Sequence, residues 1–437
     1  MISNFAIKKK YIFTILFILL FKGLLEYGYL TFVHPLFEYS GFTVDVNGIK
    51  MLESYLFVIF LSFLLSKLDD YDKPSKIVVY ILYLNLYLPI SSLYWLENHS
   101  RMYFWVISAS ILLLYLIISK FKPINNFQLK EGSNLAISIL IGISLFVYGY
   151  LIATGGLTRI NLNLLDVYST RQGYVNSSNT LITYLLPWQA HVINLTSLTY
   201  GLLKNKKSII FITLFLQVFL FSMTNFKSFL FAPLVVLALH FLTKKGYKNG
   251  LLMFMSLLLS IFMSSMFFLY KITGDILMLS IFLRRLFFAP SNLHFVYYEY
   301  FNQADKYMLS HSILSRVTEN PYGLTPVSLI ARDVYGEDFS PNVGIFGDAF
   351  LNFGFIGIFI FLIILGFVLV LLDSLARPAP FILAASIMAI PSMSLVNSAM
   401  FTSFATHGIL FAIFVTWLTT SLFRKKNDFI KEERKIS

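Results

Sequence analysis

The residues in this chain best suited to chemistry are arginines set among aromatic and acidic side chains in one polar stretch, residues 272–345. The stretch opens near Asp275, carries the adjacent pair Arg284–Arg285 and runs through Phe287-Phe288-Ala289-Pro290-Ser291 into Phe295, Tyr297, Tyr298, Tyr300 and Phe301. It closes through Arg332-Asp333 into Asn342-Val343-Gly344-Ile345-Phe346-Gly347-Asp348. A guanidinium is planar, permanently charged and presents a fork of donors that matches two oxygens of a phosphate or carboxylate. Placed side by side, such groups can hold a diphosphate without a metal. The alternative is that each arginine is solvated or pairs with a nearby acid such as Asp333 or Glu299. Tyrosine and phenylalanine faces pack against sugar rings, and the same residues also form the aromatic belt of a membrane interface.

Other reactive types argue mostly by exclusion. The chain has no cysteine, so disulfides, thiolate chemistry and the usual zinc patterns are not expected. Its seven histidines never fall at an i, i+4 ligand spacing, and no metal site is expected. Asp70-Tyr71-Asp72 has the spacing of a carboxylate pair that holds a metal-bound nucleotide sugar. Two acids one residue apart are also common in solvated loops, which is the reading taken. Lys22 and Glu26 lie four apart within an apolar run, share one helix face and can neutralise each other. Pro187-Trp188-Gln189-Ala190-His191 would free backbone groups and line a groove. Asp348 and Asn352 stand one turn apart, with Gly354 and Gly357 allowing close helix approach. No chain of buried acids runs through the apolar segments, as an ion-driven transporter would need.

These groups must be positioned by membrane helices. A chain 57% hydrophobic and 13% charged, with a mean hydropathy of +0.73, is not a soluble globular protein. Its apolar runs are continuous rather than alternating, which predicts helices and not a β-barrel. Twelve spans are expected, at 11–33, 50–66, 77–96, 103–119, 135–153, 181–203, 208–224, 229–243, 250–271, 346–372, 380–397 and 406–423. The first follows Lys8-Lys9-Lys10 without a small-residue cleavage site after it, so it reads as a retained anchor. Most of the 34 basic residues, chiefly lysines, fall after even-numbered spans or at the two ends of the chain. The positive-inside rule then makes that side cytoplasmic, with both termini on it. The net charge of +12 is accounted for by this distribution, and no nucleic acid partner is expected. Arginine instead concentrates on the other side, at Arg101, Arg159, Arg171, Arg284, Arg285, Arg316 and Arg332.

The chain thus reads as one polytopic membrane domain over 1–437, with a third external loop at 154–180 and a large fifth one at 272–345. Loops of the latter length are uncommon unless they carry function. Within it, 276–288 is expected to lie along or dip into the outer interface, 295–309 to form an amphipathic helix, and 321–347 to be irregular.

Several short motifs join this topology: Asp166-Val167-Tyr168-Ser169-Thr170-Arg171, Asn225-Phe226-Lys227-Ser228, Arg285-Leu286-Phe287-Phe288-Ala289-Pro290-Ser291 with Tyr297-Tyr298, and Asn342 through Asp348 followed by Asn352-Phe353-Gly354. In these the chain resembles the Wzy-type O-antigen and oligosaccharide repeat-unit polymerases, whose functional external loops are also the third and fifth. One departure is that the Arg332-to-Gly344 spacing is a residue longer than the family's pattern. The resemblance implies a GT-C-like membrane glycosyltransferase, related to O-antigen ligase, in a bacterial inner membrane. It would move a growing glycan from undecaprenyl diphosphate to the non-reducing end of a lipid-linked repeat unit, with inversion and without metal or cofactor. Its partners would be the membrane lipid and a chain-length regulator. It further implies diphosphate contacts from Arg171, Arg284, Arg285, Lys227 and Arg332, and glycan contacts from Tyr168, Tyr297, Tyr298 and Asn342. The attacking hydroxyl needs a base, for which His294, Glu299 and Asp348 are the candidates. A lipid-linked oligosaccharide flippase and an O-antigen ligase remain open as alternatives.

Overall fold

The computed structural model describes residues 3–124, 132–163, 168–337 and 339–423, which are helical with no strand among them. Among the described residues, ten helices are long and apolar enough to cross a membrane. They are α1 (Lys9–Ser40), α2 (Gly48–Asp70), α3 (Ser75–Leu96), α4 (Arg101–Lys120), α5 (Asn134–Ala153), α7 (Lys207–Thr224), α8 (Lys227–Lys244), α9 (Leu251–Thr273), α11 (Ile345–Ala376) and α13 (Met400–Leu422). Two further helices occupy the remaining expected spans: α6, continuous over 180–203, and α12, Phe381–Asn397. Between α9 and α11 the polar stretch forms its own helix, α10, over 279–301.

The helix starts follow local chemistry. Asn47 accepts bonds from the amides of Ile49 and Lys50 at 3.1 and 3.2 Å and so caps α2. Ser100 caps α4, and Asn179 accepts the Ile182 amide at 2.9 Å to start α6. Pro89 and Pro187 each remove a backbone donor, and each lies beside a π-helical segment, Tyr83–Tyr87 and Gln189–Ile193.

The helix α3 is buried along its whole apolar length. This explains its polar content, because each such group needs a partner inside the bundle rather than in lipid. Tyr83 bonds Ser62 at 2.8 Å, Tyr87 bonds Ser108 at 2.9 Å, and Ser91 and Ser92 face Lys22. Lys22 and Glu26 do pair, at 2.7 Å, and both are buried. Glu26 also accepts from Trp95 Nε1 at 2.8 Å and Tyr55 at 2.5 Å, so the pair ties α1 to α2 and α3. A second polar set joins α5 to α8. Gln217 donates to the carbonyls of Ala190 and Phe229, accepts from Asn194 at 2.6 Å, and Gln189 links Asn194 to Ser144.

Residues 279–288 turn one side into the bundle. Leu279, Leu283, Phe287 and Phe288 are buried, with Phe287 against Phe21 and Phe288 against Tyr29. The helix expected over 295–309 ends at Phe301, and beyond it Met308 and Leu309 take positive φ. There the amide of Leu309 bonds Asn352 Oδ1 at 2.8 Å. Part of the segment expected to be irregular is helical, over 326–335.

The span expected at 346–372 is also broken. Phe353 and Gly354 leave helical geometry, Gly354 at φ 62°, a conformation glycine adopts without steric cost. A Cβ at Gly357 would meet the Ala349 carbonyl at 2.3 Å, and one at Gly344 would meet the Val396 carbonyl at 2.2 Å. Gly344 therefore lets the end of the polar stretch touch the end of α12. Gly344→Ala is expected to lower the melting temperature in detergent, as overpacking costs of about 1–3 kcal/mol would dictate. Lys22→Met should cost more, about 3–5 kcal/mol, by stranding Glu26, and Lys22→Met with Glu26→Gln should recover part of that loss. Equal melting of the single and double variants would show that the pair does not anchor α1.

Candidate functional site

The loops expected on one side of the membrane meet at one end of the bundle. There Lys50 Nζ donates to the carbonyls of Asn98 and His99 at 2.8 and 2.6 Å, and His99 reaches Glu299 on α10 at 3.1 Å. At the other end Lys10 pairs with Asp70 at 2.7 Å, and Ser75 bonds Asp373. Asp69 and Asp70 are both committed there, Asp69 to Lys76 and Tyr80, and no cluster of three potential metal ligands exists among the described residues.

A cavity of about 530 Å³ opens at the first end, between the end of α1, the middle of α10, Tyr335, Glu337, residues 339–342 and the end of α12. Arg284 and Arg285 both line it. Arg284 is half-buried and held by neutral partners alone: Ser280 at 3.0 Å, Ser40 at 3.4 Å and Tyr39 at 3.5 Å, with its guanidinium over the Phe37 ring at 4.3 Å. Its Nε is buried without a partner. Burial lowers its pKa, and the adjacent Arg285 lowers it further. Arg285 is exposed to the cavity and makes no bond within the described residues. Two cations thus face one space with no carboxylate salt-bridged to either among the described residues, an arrangement that lowers its energy when an anion binds.

Below this cavity lies an apolar groove of about 620 Å³. Its walls include Ile77 and Ile81 of α3, Phe231 and Val235 of α8, Leu258 of α9 and Met393 and Val396 of α12. Leu286, next to Arg285 in sequence, lines the groove, and Asn397 lines both spaces. A charged pocket and an apolar slot therefore adjoin at one residue.

The other sequence-derived candidates are distributed around this centre. Asn342 lines the arginine cavity and also a smaller neighbouring cavity. Arg171 lies in a separate cluster, donating to the Asn225 carbonyl at 3.2 Å with its guanidinium over Phe226. Lys227 begins α8 in the same cluster, followed by Ser228 in the wall of the groove. Arg332 is exposed and paired with Asp333. Tyr297 is buried, donates to the Pro341 carbonyl at 2.9 Å and lines the smaller cavity. Tyr298 stacks on Tyr103 at 4.4 Å and accepts a bond from Ser100. Tyr168 opens the helix Tyr168–Ser177, while its side chain and residues 164–167 lie outside the described residues.

None of the three candidate bases lines the arginine cavity. His294 is buried, donates from Nδ1 to the Pro290 carbonyl at 2.7 Å, and is kept neutral because burial pushes its pKa down to about 4. Glu299 is exposed and engaged with His99. Asp348 is buried, accepts the Met400 amide at 2.8 Å and an Asn352 bond at 3.1 Å, and borders the smaller cavity. Among the described residues, the carboxylate in the arginine cavity is Glu337, which nothing in the sequence spacing distinguishes from Asp305 or Glu319. Asn292, Tyr335 and Asn397 join it there. They come from three separated segments, so no local pattern marks them as one set. Comparison with known proteins finds no matching family model, no matching curated protein and no matching solved structure.

The contact that fastens α10 to the α3–α4 loop is titratable. His99 bonds Glu97 at 2.7 Å and Glu299 at 3.1 Å and stacks on Phe295 at 3.9 Å. Burial lowers its pKa, but the bonds to Glu299 and Glu97 outweigh that, and the net shift is upward. A raised folded-state pKa means that the contact stabilises fully below the unfolded value of about 6.5 and weakens as pH rises through the folded value. Melting temperature in detergent should therefore fall as pH rises above about 7, and His99→Gln should flatten that slope. An unchanged slope in His99→Gln would assign the titration elsewhere.

Proposed function

We propose that this chain is a membrane glycosyltransferase that polymerises a surface polysaccharide, passing a growing glycan from undecaprenyl diphosphate to the non-reducing end of a lipid-linked repeat unit. The observation that carries this reading is the junction at Asn397 between a cavity holding Arg284 and Arg285 and an apolar groove. A substrate with a diphosphate head and a polyisoprenyl tail has those two chemistries in that order. The motif resemblance of the third and fifth external loops points the same way. On this reading all twelve expected spans cross the inner membrane in a GT-C-like arrangement with both termini cytoplasmic, and a chain-length regulator acts on the same end of the bundle as the cavity.

The chemistry needs little else. A hydroxyl oxygen of the acceptor's terminal sugar bonds to the anomeric carbon of the donor glycan from the face opposite the diphosphate. The bond from that carbon to the diphosphate oxygen breaks, and the configuration inverts. Charge builds on the departing oxygen, where fixed guanidinium groups stabilise it without reorganising. The hydroxyl proton passes to a carboxylate, a role this reading gives to Glu337 because it lines the arginine cavity. His294 and Glu299 support the frame that holds α10.

Arg285→Ala should reduce polymer formation by roughly 10²–10³-fold, by analogy with loss of a single oxyanion donor, with Arg285→Lys intermediate. Glu337→Gln should lower turnover by about 10²-fold or more while leaving lipid binding intact. The readout is the polymer ladder in cells, together with extension of a lipid-linked repeat unit by purified protein in detergent. A flippase would form no new bond there, and a ligase would join the unit to a different acceptor. A normal ladder in both Arg285 variants would remove that residue from the mechanism.

A further inference from the structure

Behind Asn342 lies the smaller cavity, of about 220 Å³, bounded by α10, residues 309–312 and the turn from α12 into α13. Its volume is below the range of roughly 300–1,000 Å³ typical of drug-sized ligand sites, and it suits a single ring. Its walls are mainly apolar, with polar groups from His311, Ser312, Asn342, Asp348, Ser398 and Thr402 and no lysine or arginine among the described residues. The hydroxyls of Ser398 and Thr402 make no bond within the described residues, and Nδ1 of His311 is buried without a partner. Burial holds the His311 pKa down at about 4, so the ring is neutral, and the Asn342 amide is free apart from a 3.4 Å bond to the Ser340 carbonyl. The wall is fixed from behind, since Asp348 accepts the Met400 amide at the start of α13.

We propose that this cavity is a sugar subsite, taking one neutral pyranose ring of the glycan whose diphosphate lies in the adjoining arginine cavity. Neutral donors and acceptors with unfilled capacity recognise hydroxyl groups, whereas a phosphate would demand the cations found on the other side of Asn342. Asn342 lines both spaces, so a sugar and the diphosphate attached to it can be held at once. His311 becomes the residue that selects sugar identity, because its buried Nδ1 left unmatched penalises the wrong hydroxyl pattern, while the more open Ser398 and Thr402 offer hydroxyls beside it. The inference rests on the reading of the protein as a glycan polymerase.

The chain contains no cysteine, so one introduced thiol reports one position. Ser398→Cys places a thiol in the small cavity, and Asn397→Cys places one at the junction of the arginine cavity and the groove. Each variant is labelled with a small methanethiosulfonate in detergent. The two probes are the lipid-free repeat-unit oligosaccharide and sugar-free undecaprenyl diphosphate. The oligosaccharide is expected to slow labelling of the Ser398→Cys thiol severalfold, and undecaprenyl diphosphate that of the Asn397→Cys thiol. Adding Thr402→Leu, which fills the cavity, should abolish the first protection and leave the second. Adding His311→Ala, which only removes atoms, should weaken oligosaccharide affinity by about tenfold, with the second protection kept as proof of folding. Protection by the diphosphate lipid without any by the oligosaccharide overturns the subsite and leaves the polymerase reading standing. Absence of both protections overturns the two together.

Discussion

The buried pair Lys22–Glu26 is the interaction on which the arrangement at the mouth depends. An ion pair in an apolar interior roughly breaks even against hydrophobic packing, but breaking it is costly, so its effect is to fix geometry. Here it fixes α1 against α2 and α3, through Tyr55 and through Ser91, Ser92 and Trp95. The register of α1 then decides where its last turn falls. Phe37, Tyr39 and Ser40 sit in that turn, and they are among the groups that hold Arg284. A charge pair deep in the bundle thereby aims a guanidinium at its surface.

The same helix positions α10 as a whole. Phe21 meets Phe287 at 5.6 Å and Tyr29 meets Phe288 at 5.1 Å, while Ser291 faces the Leu86 carbonyl of α3 at 3.5 Å. Tyr29 also donates to Glu97, whose other oxygen engages His99, and His99 in turn holds Glu299. The helix bearing the arginines is thus clamped at its start by aromatic packing and near its end by a charged relay. Fixed charge matters for the proposed chemistry, because donors that must reorganise give back part of the stabilisation they offer a departing diphosphate.

Much of the frame was legible in the sequence, because continuous apolar runs and lysine-rich turns are local signals. Ten of the expected spans coincide with helices long and apolar enough to cross a membrane, and the i, i+4 pair at Lys22 and Glu26 is formed. The details of the polar stretch were not legible. Apolar residues at 276–288 read as a segment along or dipping into the interface, and nothing local shows their contact with α1, made by residues more than two hundred positions away. The break at Gly354 was invisible because a glycine in an apolar run marks close packing as often as a positive φ. Arg284 and Arg285 stood out because arginine is scarce and they are adjacent. Glu337 and Asn397 did not, since their meaning comes from convergence of separate segments.

The contrast in how charges are satisfied argues that the mouth is the working end. At the opposite end several buried or half-buried charges have partners of their own: Lys10 with Asp70, Lys76 with Asp69, and Asp373 with the Ser75 amide and hydroxyl. On the rim of the mouth, Arg332 and Arg101 likewise pair with Asp333 and Glu53, as exposed ions do at little net effect. Arg284 and Arg285 depart from this pattern in the one place where departure is expensive, a partly enclosed cavity beside an apolar groove. Arg171 repeats it through its contacts with Asn225 and Phe226, close in sequence to the groove-lining Ser228, and its buried Nε has no partner among the described residues. Two cations left facing a cavity without an ion pair among the described residues gain when something anionic arrives from the membrane plane.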